Sequence, residues 1–226
     1  MILRRGSGMY YISGTPRTTT MALKDPLREQ ISAGEALQRL KNGNARFLRG
    51  ELHFPSVQQE VLAELAKNQR PYAMILGCAD SRVPPELVFG AGFGELFVVR
   101  VAGNSLSPEV AGSLQYAAVH LGTPLLVVLG HEVCGAITAA LETKLRGTQQ
   151  HSRIQLLVDS LLPALAQVDP GLDPDAQLAQ AVEANVRWTL AQILESPEGQ
   201  ARLAEGRMKI VGAIYELATG RVRFLE

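Results

Sequence analysis

Residues 74–82 read MILGCADSR, and residues 129–136 read LGHEVCGA. Each stretch is an apolar run that ends at a glycine and passes into residues able to bind a metal. Together they supply Cys78, Asp80, Arg82, His131 and Cys134. Two thiolates and an imidazole are three ligands of the kind Zn²⁺ takes, with a fourth position left open. In open α/β sheets, ligands sit at the carboxyl ends of the strands, so two such strand ends can deliver ligands to one point. Cys134, three residues after His131 and read as lying on a helix, can face the same point. A disulfide or a pair of buried thiols is the alternative. Only two cysteines in the chain suits a reducing compartment.

Working outward, short apolar runs recur at 72–77 (YAMILG), 96–101 (LFVVRV), 124–130 (PLLVVLG) and 208–216 (MKIVGAIYE). Their apolar continuity is that of strands covered on both faces. Residues 221–225 follow a turn at Ala218-Thr219-Gly220 and read as a short edge strand. Helical periodicity predicts helices over 26–49, 57–67, 105–121, 132–145, 154–167, 175–194 and 197–207. Ser32 with Glu35 has the form of a capping box, which marks a restart inside the first of these. Strand and helix alternation predicts an α/β fold. A mostly parallel central sheet of four strands carries a short edge strand, with helices on both faces and an N-terminal helical arm. The domain reading is an N-terminal segment over 1–25 and a single zinc domain over 26–226.

Composition narrows the function. With 226 residues, 46% hydrophobic content and a formal net charge of zero, the chain reads as a globular protein with a sizeable core. That balance argues against a nucleic-acid partner, and 5% aromatics leave little for base stacking. No run of about 18 apolar residues predicts a membrane span. Residues 1–25 carry Arg4, Arg5 and Arg17 before the first acid, Asp25, and are rich in Ser, Thr and Gly. This fits an irregular arm, a start upstream of Met21, vector-derived residues or a transit peptide. The cytoplasm is the expected compartment, with an organelle or export if the segment is a targeting signal. Gly90, Gly92 and Gly94 precede a strand instead of opening a helix, so they do not form a nucleotide loop.

A three-ligand Zn²⁺ keeps a water and lowers its pKa. Two anionic thiolates offset part of the zinc charge, so a second group must help to hold the hydroxide. Asp80 is placed to accept a hydrogen bond from that water, and Arg82 to hold Asp80 ionised and oriented. The alternatives are a loop ion pair or Asp80 as a fourth zinc ligand. His53, His120 and His151 have no partner spacing and read as surface or helix residues.

At these residues the chain resembles a β-class carbonic anhydrase. GCADSRVPPELVFGAGFGELFVVR is similar to that family's first signature and GHEVCGA to its second, over a span from about Ile31 to the C-terminus. The resemblance implies Zn²⁺, one per subunit, on Cys78, His131 and Cys134, with Asp80 and Arg82 as a catalytic dyad. It implies reversible hydration of CO₂ to bicarbonate, and a homodimer or higher homo-oligomer with the site at the interface. By spacing, Gln69, Phe97 and Tyr116 match substrate-site residues of plant-type members, and Val83 and Gly135 join them. Gln69 would act from the partner subunit, and Val83, Phe97 and Tyr116 would line a CO₂ pocket. Members of another branch carry a regulatory bicarbonate site of Trp, Arg and Tyr; Arg100 and Tyr215 match, but Ile75 replaces the Trp. VAGN at 101–104 departs from the common NVAN. A CS₂ or COS hydrolase, or a silent zinc-binding interaction protein, would keep the same ligands.

Overall fold

The computed structural model describes residues 31–51, 59–206 and 208–225. Residues 1–25 and His53 lie outside them. Five strands, β1 (Ala73–Gly77), β2 (Leu96–Arg100), β3 (Leu125–His131), β4 (Lys209–Tyr215) and β5 (Val222–Phe224), form one sheet in the order β2-β1-β3-β4-β5. The first four are parallel and β5 runs antiparallel at the edge. The α/β architecture and its edge strand are those expected from the sequence.

Every residue of β1 and of β3 is buried. Alternation sorts their side chains onto two faces. Met74, Leu76, Leu126 and Val128 enter one core, under α4 (Pro108–Val119), α5 (Gly135–Arg146), α6 (Ser152–Leu161) and α7 (Pro174–Glu195). Ala73, Ile75, Leu125, Val127 and Leu129 enter the other, with α1 (Ala33–Leu48), α3 (Pro85–Val88) and β5. Helices on both faces explain why these strands read as unbroken apolar runs. The elements α2 (Gln59–Leu65) and α8 (Pro197–Ala204) complete the described set. None of the described helices is long and apolar enough to cross a membrane.

Caps move several predicted boundaries inward. Ser32 caps α1 with Glu35 in a reciprocal capping box, so α1 starts at Ala33, at the restart the sequence marks, while positions 26–30 of the predicted helix lie outside the described residues. Ser107 accepts from the Val110 N–H and starts α4 at Pro108. The helix predicted over 132–145 starts instead at Gly135, because Cys134 is its N-cap. Cys134 therefore lies in the turn before α5 and not within the helix. Two short pieces escaped prediction: α3, opened by Pro85, and a 3-10 turn at Ala102–Asn104.

One buried side chain ties the first helix to the last strand. Asn44 Nδ2 donates to the carbonyls of Val88 (3.1 Å) and Gly220 (2.9 Å), and its Oδ1 accepts from the Val222 N–H (2.9 Å). Removing the amide strands three main-chain groups in a dry site. Asn44→Ala is expected to lower unfolding free energy by about 3 kcal/mol, read as a shifted midpoint in urea at unchanged slope.

Candidate metal centre

The strand order creates the site. From β1 the chain steps to β2 on one side and later to β3 on the other, so a topological switch point lies between β1 and β3. Ligands in open α/β sheets gather at such a point, beyond the carboxyl ends of the strands. Gly77 pairs with Leu129, which sets Cys78 one residue past β1 and level with Gly130, next to His131 at the end of β3.

Cys78 Sγ and Cys134 Sγ are 3.9 Å apart, both thiols free and buried. The ligand atoms of Cys78, His131 and Cys134 all lie within 4.8 Å of one another. Tetrahedral zinc with bonds of about 2.3 Å sets two sulfurs about 3.8 Å apart, so the pair has the span the metal needs. His131 Nδ1 lies 2.8 Å from the Glu132 carbonyl, which can only accept, so Nδ1 carries the proton and Nε2 offers a lone pair. Nε2 is buried and meets no hydrogen-bonding partner among the described residues. A buried acceptor with nothing to accept, facing two thiols, is the signature of a ligand set.

The two sulfurs lie close enough for a hydrogen bond, and each shifts the other's pKa. The bond from Cys134 pulls the Cys78 thiol down most, aided by the Gly103 N–H at 3.4 Å and a main-chain bond from Asp80, against burial. The same bond, then burial, pushes Cys134 up, while the N–H groups of Ile137 and Ala136 at the start of α5 favour its thiolate. Metal binding to the pair requires both thiols deprotonated.

Asp80 stands beside the three ligands. Its Oδ1 accepts from Arg82 Nε (2.9 Å) and from the Arg82 main-chain N–H (2.9 Å), and its Oδ2 from Arg82 Nη2 (2.7 Å). These bonds hold the Asp80 carboxyl well below the usual carboxylate range. Oδ2 lies 3.9 Å from His131 Nε2, too far for a hydrogen bond. Arg82 Nη2 also reaches the Val133 carbonyl at 3.3 Å.

The proposed substrate residues scatter. Val83 is buried in the core on the α1 side of the sheet, and Gly135 is exposed at the start of α5. Gln69 is exposed ahead of β1. Phe97 pairs with Met74, four residues before Cys78, or about 13 Å back along the strand. Tyr116 on α4 meets Phe97 with ring centroids 6.4 Å apart. One chain therefore does not bring Gln69, Phe97 or Tyr116 to the carboxyl end where Cys78, His131 and Cys134 meet.

Three residues at the site carry jobs the sequence pattern did not assign. Arg100 donates through Nε to the Cys78 carbonyl (2.9 Å) and through Nη2 to the Asp80 carbonyl, so it clamps the ligand loop. Ile75 and Tyr215, noted beside it in the sequence, are both buried in the α1-side core. Gly103, in the left-handed conformation (φ 68°), aims its N–H at Cys78 Sγ. Val133, between the ligands His131 and Cys134, also has positive φ (51°) and is 58% exposed. A glycine in an unpredicted turn and a valine in an unfavoured conformation leave no trace in hydrophobic periodicity.

Comparison with known proteins follows the same lines. The family model described as carbonic anhydrase matches residues 73–222. Carbonic anhydrase 2 of Mycobacterium tuberculosis is 40% identical over 189 residues, 82% of this chain and 89% of the relative. The Coccomyxa β-carbonic anhydrase, solved with acetazolamide, superposes with a TM-score of 0.66 at 31% identity, covering 72% of this chain and 75% of the other. A tetrameric β-carbonic anhydrase from Sordaria macrospora shares the fold, with a TM-score of 0.67 at 24% identity, covering 73% and 85%.

A β-branched residue at positive φ stores about 1–3 kcal/mol. Val133→Gly is expected to relieve it and raise stability by about 1 kcal/mol, after the entropy lost by glycine. Thermal unfolding of the two proteins checks this, and an unchanged or lower midpoint contradicts it.

Proposed function

Because the chain belongs to the carbonic anhydrase family and, within it, to the β class, we propose that it hydrates CO₂ reversibly at one Zn²⁺ per subunit, held by Cys78, His131 and Cys134. The observation that carries the reading is the buried cluster of two thiols and an unpartnered Nε2. Bound there, Zn²⁺ supplies a Lewis acid that acidifies water near neutral pH, as it does in carbonic anhydrases generally.

The residues of this chain do the rest. Asp80, kept anionic by the Arg82 guanidinium, accepts a hydrogen bond from the attacking water and turns its lone pair toward CO₂. Its depressed pKa makes it a poor base, so the proton released on hydration passes on to buffer. Arg82 engages both Asp80 oxygens and ties that residue to the Val133 carbonyl within the turn between His131 and Cys134. Arg100 fixes the main chain of Cys78 and Asp80, so ligand and acceptor move as one unit.

The working unit is a homo-oligomer, at least a dimer. Among the described residues, the β2 edge has no strand partner on its outer side and is half-buried along its whole length. Phe93 in the loop before it is 65% exposed and Tyr116 46% exposed. A second copy covering this edge would present Gln69, Phe97 and Tyr116 to the partner's metal centre, with Val83 and Gly135 contributed from the chain that holds the metal. The catalytic body is residues 26–226, and the cytoplasm, where two unbridged thiols persist, is its compartment.

Three outcomes are expected. Purified protein carries zinc and catalyses CO₂ hydration in stopped flow above about pH 8, and Cys78→Ser loses both metal and rate. Zinc-loaded protein without such a rate would sink the reading. Asp80→Asn keeps its zinc and loses about 100-fold in kcat. Since Asp80 stays ionised far below neutrality, rate lost on mild acidification in the wild type does not come from its protonation. A pH profile that keeps its midpoint in Asp80→Asn checks that point. Phe97→Ala binds zinc normally but loses rate, and light scattering places the wild type at a dimer or above.

A further inference from the structure

The turn at Ala102–Asn104 lies outside the ligand motifs, yet it touches the metal centre through one N–H. Gly103 donates to Cys78 Sγ at 3.4 Å. It can do so only in its left-handed conformation, and a Cβ there would come within 3.0 Å of Leu161 Cδ1 and 3.3 Å of Ala136 Cβ. What holds this turn is a helix far away in sequence. Asn185, on α7 and 1% exposed, donates through Nδ2 to the Gly103 carbonyl at 2.8 Å. One turn later on α7, Thr189 reaches the neighbouring Asn104 carbonyl at 3.4 Å.

The packing that brings α7 here involves a ligand strand. Gly130 precedes His131, and a Cβ on it would meet Val186 Cγ2 at 2.6 Å. The missing side chain lets α7 lie close to β3, and the residue before Val186 then reaches Gly103. The chain of contacts runs from His131's strand to α7, from Asn185 to Gly103, and from Gly103 back to Cys78.

We propose that Asn185 is a positioning residue for the metal centre: by holding the Gly103 carbonyl it fixes the backbone of the residue whose own N–H, in the preceding peptide, is aimed at Cys78 Sγ, and so sets how strongly that thiolate holds and donates to the metal. The inference rests on the zinc reading above. An N–H aimed at a ligating sulfur draws electron density from it and keeps it in place, and outer-shell partners of this kind are typically worth 10- to 100-fold in metal affinity. Thr189 secures only the adjacent carbonyl and does not share the role.

The test uses the full chain loaded with Zn²⁺ or, for spectroscopy, with Co²⁺. Asn185→Leu removes the donor at similar volume. Asn185→Ser, smaller and polar, removes it with less risk to folding, since its hydroxyl is too short to reach Gly103. Both are expected to weaken zinc 10- to 100-fold in chelator competition. Both should also move the sulfur-to-cobalt charge-transfer band to longer wavelength, a change that loosened packing alone would not produce. Thr189→Val is expected to keep the wild-type band and affinity. The proposal is overturned if both 185 variants keep the band and affinity of the wild type, or if Thr189→Val shifts them equally. Wild-type protein that takes up neither metal would instead overturn the zinc reading, and this inference with it.

Discussion

The metal centre depends on the register in which β1 lies beside β3. With Gly77 opposite Leu129, the residues that leave the two strands emerge side by side. A slip by one residue would turn each side chain of β1 to the other face and carry Cys78 away from His131. Burial enforces the register. Both faces of both strands are packed, so a slipped pairing would exchange the contents of two filled cores. The same apolar packing that stabilises the domain therefore fixes the ligand geometry, and no separate device is needed to bring Cys78 and His131 together.

That arrangement leaves an electrostatic problem at the sheet's end. Two thiols and an imidazole are packed where water hardly reaches, and anions there are costly. The protein answers with donors from three directions. The α5 amides face Cys134, Gly103 faces Cys78, and Arg82 sits beside Asp80. Arg100 spends its donors on carbonyls of the loop itself. That use makes it a structural clamp on the loop from Cys78 to Asp80.

Sequence pattern reached far into this architecture because the informative residues obey local rules. Apolar runs at 72–77 and 124–130 report double burial, and Ser32 with Glu35 reports a cap. Cys78, His131 and Cys134 were legible because strand ends in a parallel sheet share one edge. What escaped was set by tertiary contact. The start of α5 moved past Cys134 because Val133 takes a positive φ, which no valine advertises. Gly103 matters through Leu161, Ala136 and Asn185, residues 33 to 82 positions away. Phe97 and Tyr116 were read as lining one pocket, but the register that sets Phe97 about 13 Å back along the strand from Cys78 belongs to the sheet and not to spacing.

The three bonds of Asn44 bear on how the chain acquires its shape. Two of its partners, Gly220 and Val222, lie 176 and 178 residues downstream. During synthesis from the N-terminus, α1 is made early, but this amide cannot be satisfied until residues 220–222 have left the ribosome. β4, the strand that continues the sheet beyond β3, is also made late, followed only by β5 among the described strands. Contacts of such long sequence separation slow folding, because the loop must close before the contact can form. The strand β3, which carries His131, therefore gains its second neighbour only once β4 has been made.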